Sequence, residues 1–430
     1  MARKRLPVVI LSLVAVLVLA PGVPGVTYAL ASPIHPATLS GEIVPAPLLV
    51  TRSAAGPLCS SSGLCPVELS TAYGFSTLKS NGTAGAGQTI VIDDACGDPH
   101  IRSDLKAFDQ QFGLPAPNLT IIDPQGKPCT DSSWSVETSL DVEWSHVTAP
   151  KAAIDLLQAA VPNTTDVYGA WSYAISHHLG NQISNSFGGA GCYSQPACNA
   201  TIGQGIGACN SVVGTSGVNV TAILNKAARA GVTILASAGD SGAWGQGTST
   251  TEPIPADCAG VLTVGGTTLT VSSSGAYVGE SAWSGTGGGY ATQAEPRYQK
   301  AVKIPDAYHA LAKPDVAADA DPGSGVWVYN QGWGVVGGTS LSCPLWAGFM
   351  ADVNEVRAAN HLGPAGFVNP FLYKTVYGVR GHSTNYSLDF HDITSGNNGW
   401  PTKTGWDADT GLGSFNVTGL AATLGTDASA

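Results

Sequence analysis

Short, β-branched apolar runs alternating with helix-forming stretches constrain this chain more than any other feature. Thr89-Ile90-Val91-Ile92-Asp93, Gln182-Ile183-Ser184-Asn185-Ser186-Phe187, Val232-Thr233-Ile234-Leu235-Ala236 and Val261-Leu262-Thr263-Val264 read as strands. All but the second are too continuously apolar for a sheet with one wet face. Between them, residues 103–112 and 220–230 carry helical patterns, and residues 153–160 read as a further helix, punctuated by Pro162-Asn163. Such alternation predicts an α/β fold with a mostly parallel central sheet and helices on both faces. A chain of 430 residues suffices for one large domain of this kind. Its functional groups are expected beyond the carboxyl ends of the strands.

The chemistry of the surface narrows the partners. Charged residues are only 11% of the chain, the formal net charge is -11, and no Lys/Arg run follows residue 5, which argues against nucleic acid. Arg3-Lys4-Arg5, the apolar stretch 6–20 and Ala29-Leu30-Ala31 have the layout of a secretory signal over residues 1–31. A secreted, extracellular protein without stable membrane association after signal cleavage is the expectation. Residues 32–66, rich in Pro, Ser, Ala and Gly, read as a leader, and residues 67–425 as the folded domain. Nine cysteines suit an oxidising compartment; the spacings 59–65 and 192–198 invite local bridges, and Cys343 is the expected free thiol.

Three stretches carry chemistry. In Gly337-Gly338-Thr339-Ser340-Leu341-Ser342-Cys343-Pro344, glycines let the backbone turn from the strand Val326-Trp327-Val328-Tyr329 toward an apolar helix, leaving Ser340 near a helix N-terminus. That position suits a nucleophilic hydroxyl, although Ser is also a common cap. In Trp134-Ser135-Val136-Glu137-Thr138-Ser139-Leu140-Asp141-Val142-Glu143-Trp144, Glu137 and Asp141 fall on one helix face beside apolar Leu140 and Trp144. Two carboxyls there share protons, and one pKa rises. In Ser237-Ala238-Gly239-Asp240-Ser241-Gly242 a buried strand runs into a turn carrying Asp240.

In their order along the chain the three stretches resemble the sedolisin family of serine-carboxyl peptidases, with its Glu-x-x-x-Asp helix, Ser-x-Gly-Asp-Ser-Gly and Gly-Thr-Ser-x-x-x-Pro. Val264-Gly265-Gly266-Thr267-Thr268, Trp283-Ser284-Gly285-Thr286-Gly287-Gly288-Gly289 and Pro314-Asp315-Val316-Ala317-Ala318-Asp319-Ala320-Asp321-Pro322 agree with it. The resemblance implies a subtilisin-like fold and an acid-acting serine peptidase. Ser340 would be the nucleophile, Glu137 the general base, Asp141 its orienting partner, and Asp240 a donor in the oxyanion hole. None of the nine His lies in a His-Gly-Thr context, which excludes the ordinary subtilisin triad.

The resemblance also implies one structural Ca2+, with carboxylates from Asp392 and Asp407 and backbone carbonyls from Ile393, Lys403 and Gly405. Lys403 stands where the family more often has Gly. Ser184, Ser186, Phe187 and Gly188 resemble a strand edge that pairs with an extended peptide, and Trp283, Ser284 and Gly285 a segment lining the cleft. A peptide or unfolded protein is the implied substrate and a monomer the implied state. Relatives usually carry a long folded pro-region, and here residues 32–66 stand in its place. An inactive binding protein of the same fold is the runner-up, but all four catalytic groups are present. A glycosidase fits poorly, because its carboxyls come from separate segments spanning a sugar.

Overall fold

The computed structural model describes residues 43–190, 212–213, 218–243, 253–305 and 308–428, apart from 46, 54, 55, 58, 60 and 61. The signal stretch and the 192–198 cysteine pair lie outside the described residues. A ten-stranded sheet organises the rest. From one edge it runs Phe390–His391, Ser414–Phe415, Val316–Asp319, Leu262–Val271, Thr233–Ser237, Gln182–Ser184, Thr89–Ala95, Ala153–Ala159 and Asn118–Ile122, with Tyr277–Ala282 paired to Leu262–Val271. Only Phe390–His391 and Tyr277–Ala282 pair antiparallel.

Side chains alternate between two cores. Ile90 and Ile92 join the core holding Leu140, Trp144 and Trp346, whereas Val91 joins Val167, Trp171 and Leu224 on the other face. The helices Ser132–Thr148 and Thr339–Ala359 cover the first face, and Thr164–His177 and Val220–Arg229 the second. The expected subtilisin-like layering is therefore present. Among the described residues no helix is long and apolar enough to cross a membrane.

Two expectations change. Residues 153–160 are not helical but form the strand Ala153–Ala159. Ile154 and Leu156 enter one core while Leu157 and Ala159 enter the other, so burial on both faces masked the two-residue period. The leader, too, is partly folded into the domain, which thus begins before residue 67. Val44–Pro45 pairs antiparallel with Phe187–Ala190, and Leu48–Ser53 pairs antiparallel with Trp333–Gly337. Cys59 bridges Cys65, as the short spacing suggested, and Cys96 bridges Cys129.

Chain order reverses beside Thr89–Ala95. The chain leaves that strand for Asn118–Ile122 and Ala153–Ala159 on one side, then crosses to Gln182–Ser184 on the other. The carboxyl ends of Thr89–Ala95 and Gln182–Ser184 thus flank a topological switch point, where open α/β sheets bind ligands.

Candidate active site

Gly338 is the residue before the Thr339–Ala359 helix, and its φ of 110° lies where a side chain would be strained. Ser340 is consequently the second helical residue, and no helical carbonyl lies four positions back for its N–H. Pro344 lacks an N–H, so the helix cannot bond the Ser340 carbonyl either. Ser186 Oγ donates to that carbonyl instead (3.2 Å), and Ser340 Oγ donates to Ser186 O (3.4 Å). The nucleophile candidate is thereby tied to the segment leaving Gln182–Ser184 at the switch point.

The Ser132–Thr148 helix runs alongside. Asp131 caps it, accepting from the N–H groups of Ser133 and Trp134. At Gly348 an added Cβ would stand 1.8 Å from Thr148 Oγ1 and 3.0 Å from Ser145 O, so the two helices touch there with no room for a methyl group. Toward the helix starts, Asp141 lies close enough to Cys343 to push its thiol pKa upward, after the larger effect of burial. Both helices therefore point the same way. At 1.5 Å per residue, Glu137 and Asp141 reach the same end as Ser340.

All three side chains are buried. Burial pushes the Asp141 pKa well above the usual carboxylate range, and the charges of Asp94 and Glu137 push it further. Asp94 itself is raised to about 7, chiefly by burial. Asp93 and Asp94, at the carboxyl end of Thr89–Ala95, were missed in the sequence. Two carboxyls inside a buried strand were the signal available.

Asp240 sits after the carboxyl end of Thr233–Ser237. Its Oδ1 accepts from Thr339 N (2.8 Å) and Thr339 Oγ1 (2.7 Å), while Oδ2 has no hydrogen-bond partner. Thr339 Oγ1 also accepts from Gly239 N–H (3.0 Å), locking the turn to the residue before Ser340. Burial raises Asp240 to about 6 against the lowering effect of the Thr339 bonds. Trp283–Gly289 braces this turn from outside: Gly242 N–H donates to Gly285 O (2.8 Å) and Gly287 N–H to Gly239 O (2.6 Å). Trp283 is buried and Ser284 exposed.

The proposed peptide-pairing residues divide. Phe187 and Gly188 lie on the short strand already described, and Ser186 contacts Ser340. Ser184 is an interior residue of the central sheet; its hydroxyl lies 3.4 Å from Cys343 Sγ, turned toward the helix rather than the strand edge. Cys343 is free and buried, with its thiol pushed up to about 12.

Asp392 and Asp407 meet one loop far along the chain. Both Asp392 oxygens accept from Gly405 N–H, and Asp407 Oδ2 accepts from Lys403 N–H (3.0 Å). Ile393 is buried next to Asp392. Both carboxylates also act on the Tyr377 and Tyr386 hydroxyls, which places them on one side of the loop. Two carboxylates gathered at one loop are oxygen donors of the kind a hard divalent ion takes. Among the described residues, the one group of three His/Cys/Asp/Glu ligand atoms within 4.8 Å of one another is Cys59, Cys65 and Glu68, whose cysteines are consumed by a disulfide.

Comparison with known proteins agrees with this architecture. The sequence pattern of the Subtilase family matches residues 148–391, which contain Asp240 and Ser340 but not Glu137 or Asp141. Kumamolisin of Bacillus sp. (strain MN-32) is 32% identical over 378 residues, covering 81% of this chain and 61% of kumamolisin. Sedolisin of Pseudomonas sp. (strain 101) is 29% identical over 405 residues, covering 86% and 63%. The chain thus spans about three fifths of these relatives. The solved structure of Pseudomonas sedolisin, a serine-carboxyl proteinase complexed with pseudo-iodotyrostatin, superposes with a TM-score of 0.70 at 27% identity. That match covers 86% of this chain and all of the solved one.

Proposed function

The chain belongs to the subtilase family, in its sedolisin branch, and from that premise we propose that it hydrolyses peptide bonds in acid through a Ser340 acyl-enzyme. Ser340 Oγ attacks the scissile carbonyl as Glu137 takes its proton, and Glu137 later gives that proton to the leaving amine. Asp141, its pKa raised by burial and by the charges of Asp94 and Glu137, would orient Glu137. The oxyanion is received by Ser340 N–H and by a proton on Asp240.

The observation that carries this reading is the asymmetry of Asp240. One oxygen is held by two bonds from Thr339, and the other, buried and unbonded, is free to carry a proton. A carboxyl can donate only while protonated, which with a pKa of about 6 ties activity to acid. Secretion through residues 1–31 would deliver the protein to a medium where that proton is bound. The substrate would be an extended or unfolded polypeptide, met by a monomer.

For Ca2+, Asp392 and Asp407 would supply carboxylates, and the backbone of Ile393, Lys403 and Gly405 the remaining oxygens. Bound there, the ion would neutralise the loop carboxylates and rigidify the loop. The test of the peptidase reading is cleavage of an unfolded protein between pH 2 and 8, by wild type and by Ser340→Ala. Acid-limited cleavage lost in the variant is expected; cleavage that persists without the Ser340 hydroxyl would sink it.

A further inference from the structure

The Ser132–Thr148 helix carries a second set of polar groups on the face turned away from Ser340. At about 3.6 residues per turn, Ser135 and Ser139 lie roughly opposite Glu137 and Asp141 around the helix axis. Asn330, in the turn between Val326–Tyr329 and Trp333–Gly337, marks that face: its Nδ2 donates to Ser135 Oγ (3.2 Å) and Ser139 Oγ (3.1 Å). Beside it opens a cleft of about 630 Å³, whose walls include Gly97, His100, Asp131, Ser135, Asn330 and Gln331. That volume admits a long side chain. Two of the walls are tied together, because Cys96 bridges Cys129 and Gly97 N–H donates to Cys129 O (2.6 Å). The cleft is therefore formed before anything binds.

It is acidic and lacks counter-charge. Asp98 is 4% exposed; its Oδ1 accepts from His100 N–H (2.8 Å), and its Oδ2 has no hydrogen-bond partner. The Ser135 hydroxyl lies close enough to Asp98 to act on its pKa. His100 and Ser135 both line the cleft, so the unbonded oxygen belongs to its floor. Asp104, also buried, accepts from Gln331 N–H (3.1 Å) and feels the charge of Asp98. Asp131 is exposed at the rim. None of these three carboxylates takes part in an ion pair, and His100 is the one basic side chain lining the cleft. Nor do they bring three oxygens within 4.8 Å of one another, the gathering that a divalent ion takes. An ammonium or guanidinium group, with donors pointing several ways, can reach carboxylates that are further apart. Burial raises the pKa of both Asp98 and Asp104, and a cation beside them favours their ionised form, so the site charges as it fills.

The substrate can bring that cation. Glu137 gives its proton to the leaving nitrogen, so the half of the substrate that begins there starts out beside the Glu137 helix. A helix with its side chains is about 10–12 Å across, and an extended peptide advances about 3.3 Å per residue. The third or fourth residue after the scissile bond thus reaches the far side of the helix start, where the cleft lies. Resting on the peptidase reading, we propose that this cleft is a subsite for a lysine or arginine side chain at the third or fourth position on the leaving-group side, held by Asp98, Asp104 and Asp131. His100, when protonated, competes with the substrate for Asp98.

The test uses two peptides that share one cleaved bond and differ in having Lys or Leu at the third and fourth positions after it. At pH 5 the chain should hydrolyse the Lys peptide with a kcat/KM about fivefold higher, the scale of one charge pair, and the margin should shrink at high salt. In Asp98→Asn, and independently in Asp131→Asn, whose amide still caps the helix, the ratio should fall toward one. In His100→Gln it should rise. A variant that merely folds less well loses both rates together and leaves the ratio in place. Binding to Ser340→Ala gives a readout without turnover: the Lys peptide should bind about fivefold more tightly than the Leu peptide, and lose that margin when Asp98→Asn is added. Equal hydrolysis of the two peptides by an active chain, or a ratio unmoved by Asp98→Asn and Asp131→Asn, would overturn the subsite and leave the peptidase reading standing. Tighter binding of the Lys peptide with no hydrolysis of either at any pH would overturn the peptidase reading, and the cleft's place in a substrate site with it.

Discussion

Replacing Asp240 by Asn separates the donor that the oxyanion needs from the proton that supplies it. In wild type the donor is a carboxyl whose pKa is raised to about 6 by burial, with Oδ1 fixed by Thr339 and Oδ2 unbonded. The protonated fraction is about one half at pH 6, about one tenth at pH 7 and about one hundredth at pH 8. Activity carried by this proton should fall about a hundredfold between pH 5 and pH 8. An Asn amide can keep its oxygen on the Thr339 donors and present N–H where Oδ2 stood, at any pH. The Asp240→Asn variant should therefore lose some activity at pH 4 yet shed most of the decline above pH 6. Asp240→Ala, which removes the donor, should lose about 10²–10³-fold at pH 4. The assay is kcat/KM for an unfolded protein from pH 3 to 9. An Asp240→Asn profile with the wild-type decline through pH 6 would refute the assignment of Asp240 as the titrating donor.

Other consequences are equally direct. Asp94, Asp141 and Asp240 have folded pKa values above their unfolded ones, so the native state binds more protons in the window above about pH 4. Their contribution to stability is present in acid and lost as pH rises through about 6–7; the melting temperature should fall between pH 4 and 8, and a rise would contradict the assigned shifts. Gly348→Ala adds a methyl group 1.8 Å from Thr148 Oγ1 and should cost about 1–3 kcal/mol in urea unfolding despite alanine's helix preference; a stabilised variant would mean the helices do not meet there. Ser186→Ala leaves the buried Ser340 carbonyl without its side-chain donor and should lower stability by about 1–3 kcal/mol as well as activity. Chelation should lower the melting temperature, with the shift abolished in Asp407→Asn; equal melting with and without chelator would remove the calcium assignment.

Much of the site was legible because its chemistry forces local sequence. A serine at the second position of a buried helix needs a glycine turn before it, and the Pro344 that frees its carbonyl is visible in the same stretch. Glu137 and Asp141 betrayed themselves as like charges beside Leu140 and Trp144 on a helix that is buried over nearly its whole length. Other features depend on partners distant in sequence. Ser184 reads as part of one continuous strand, yet the chain breaks at Asn185-Ser186 and sends the Ser184 hydroxyl toward Cys343. The strand Ala153–Ala159 is apolar on both faces, so its period disappears. Residues 43–53 are too short and irregular to announce pairing by themselves; the edges that accept them belong to segments more than 140 residues further on. The Asp93-Asp94 pair acquires meaning only when the fold brings Asp94 toward Asp141.

The most direct measurement of the central claim is to react the chain with a peptidyl phosphonate at pH 4 and at pH 8, and to map the modified residue by mass spectrometry of its fragments. Modification of Ser340 at pH 4, greatly reduced at pH 8 and abolished in Ser340→Ala, is the predicted result. Modification of another residue, or labelling of Ser340 that is equal at both pH values, would contradict an acid-acting serine nucleophile at this position.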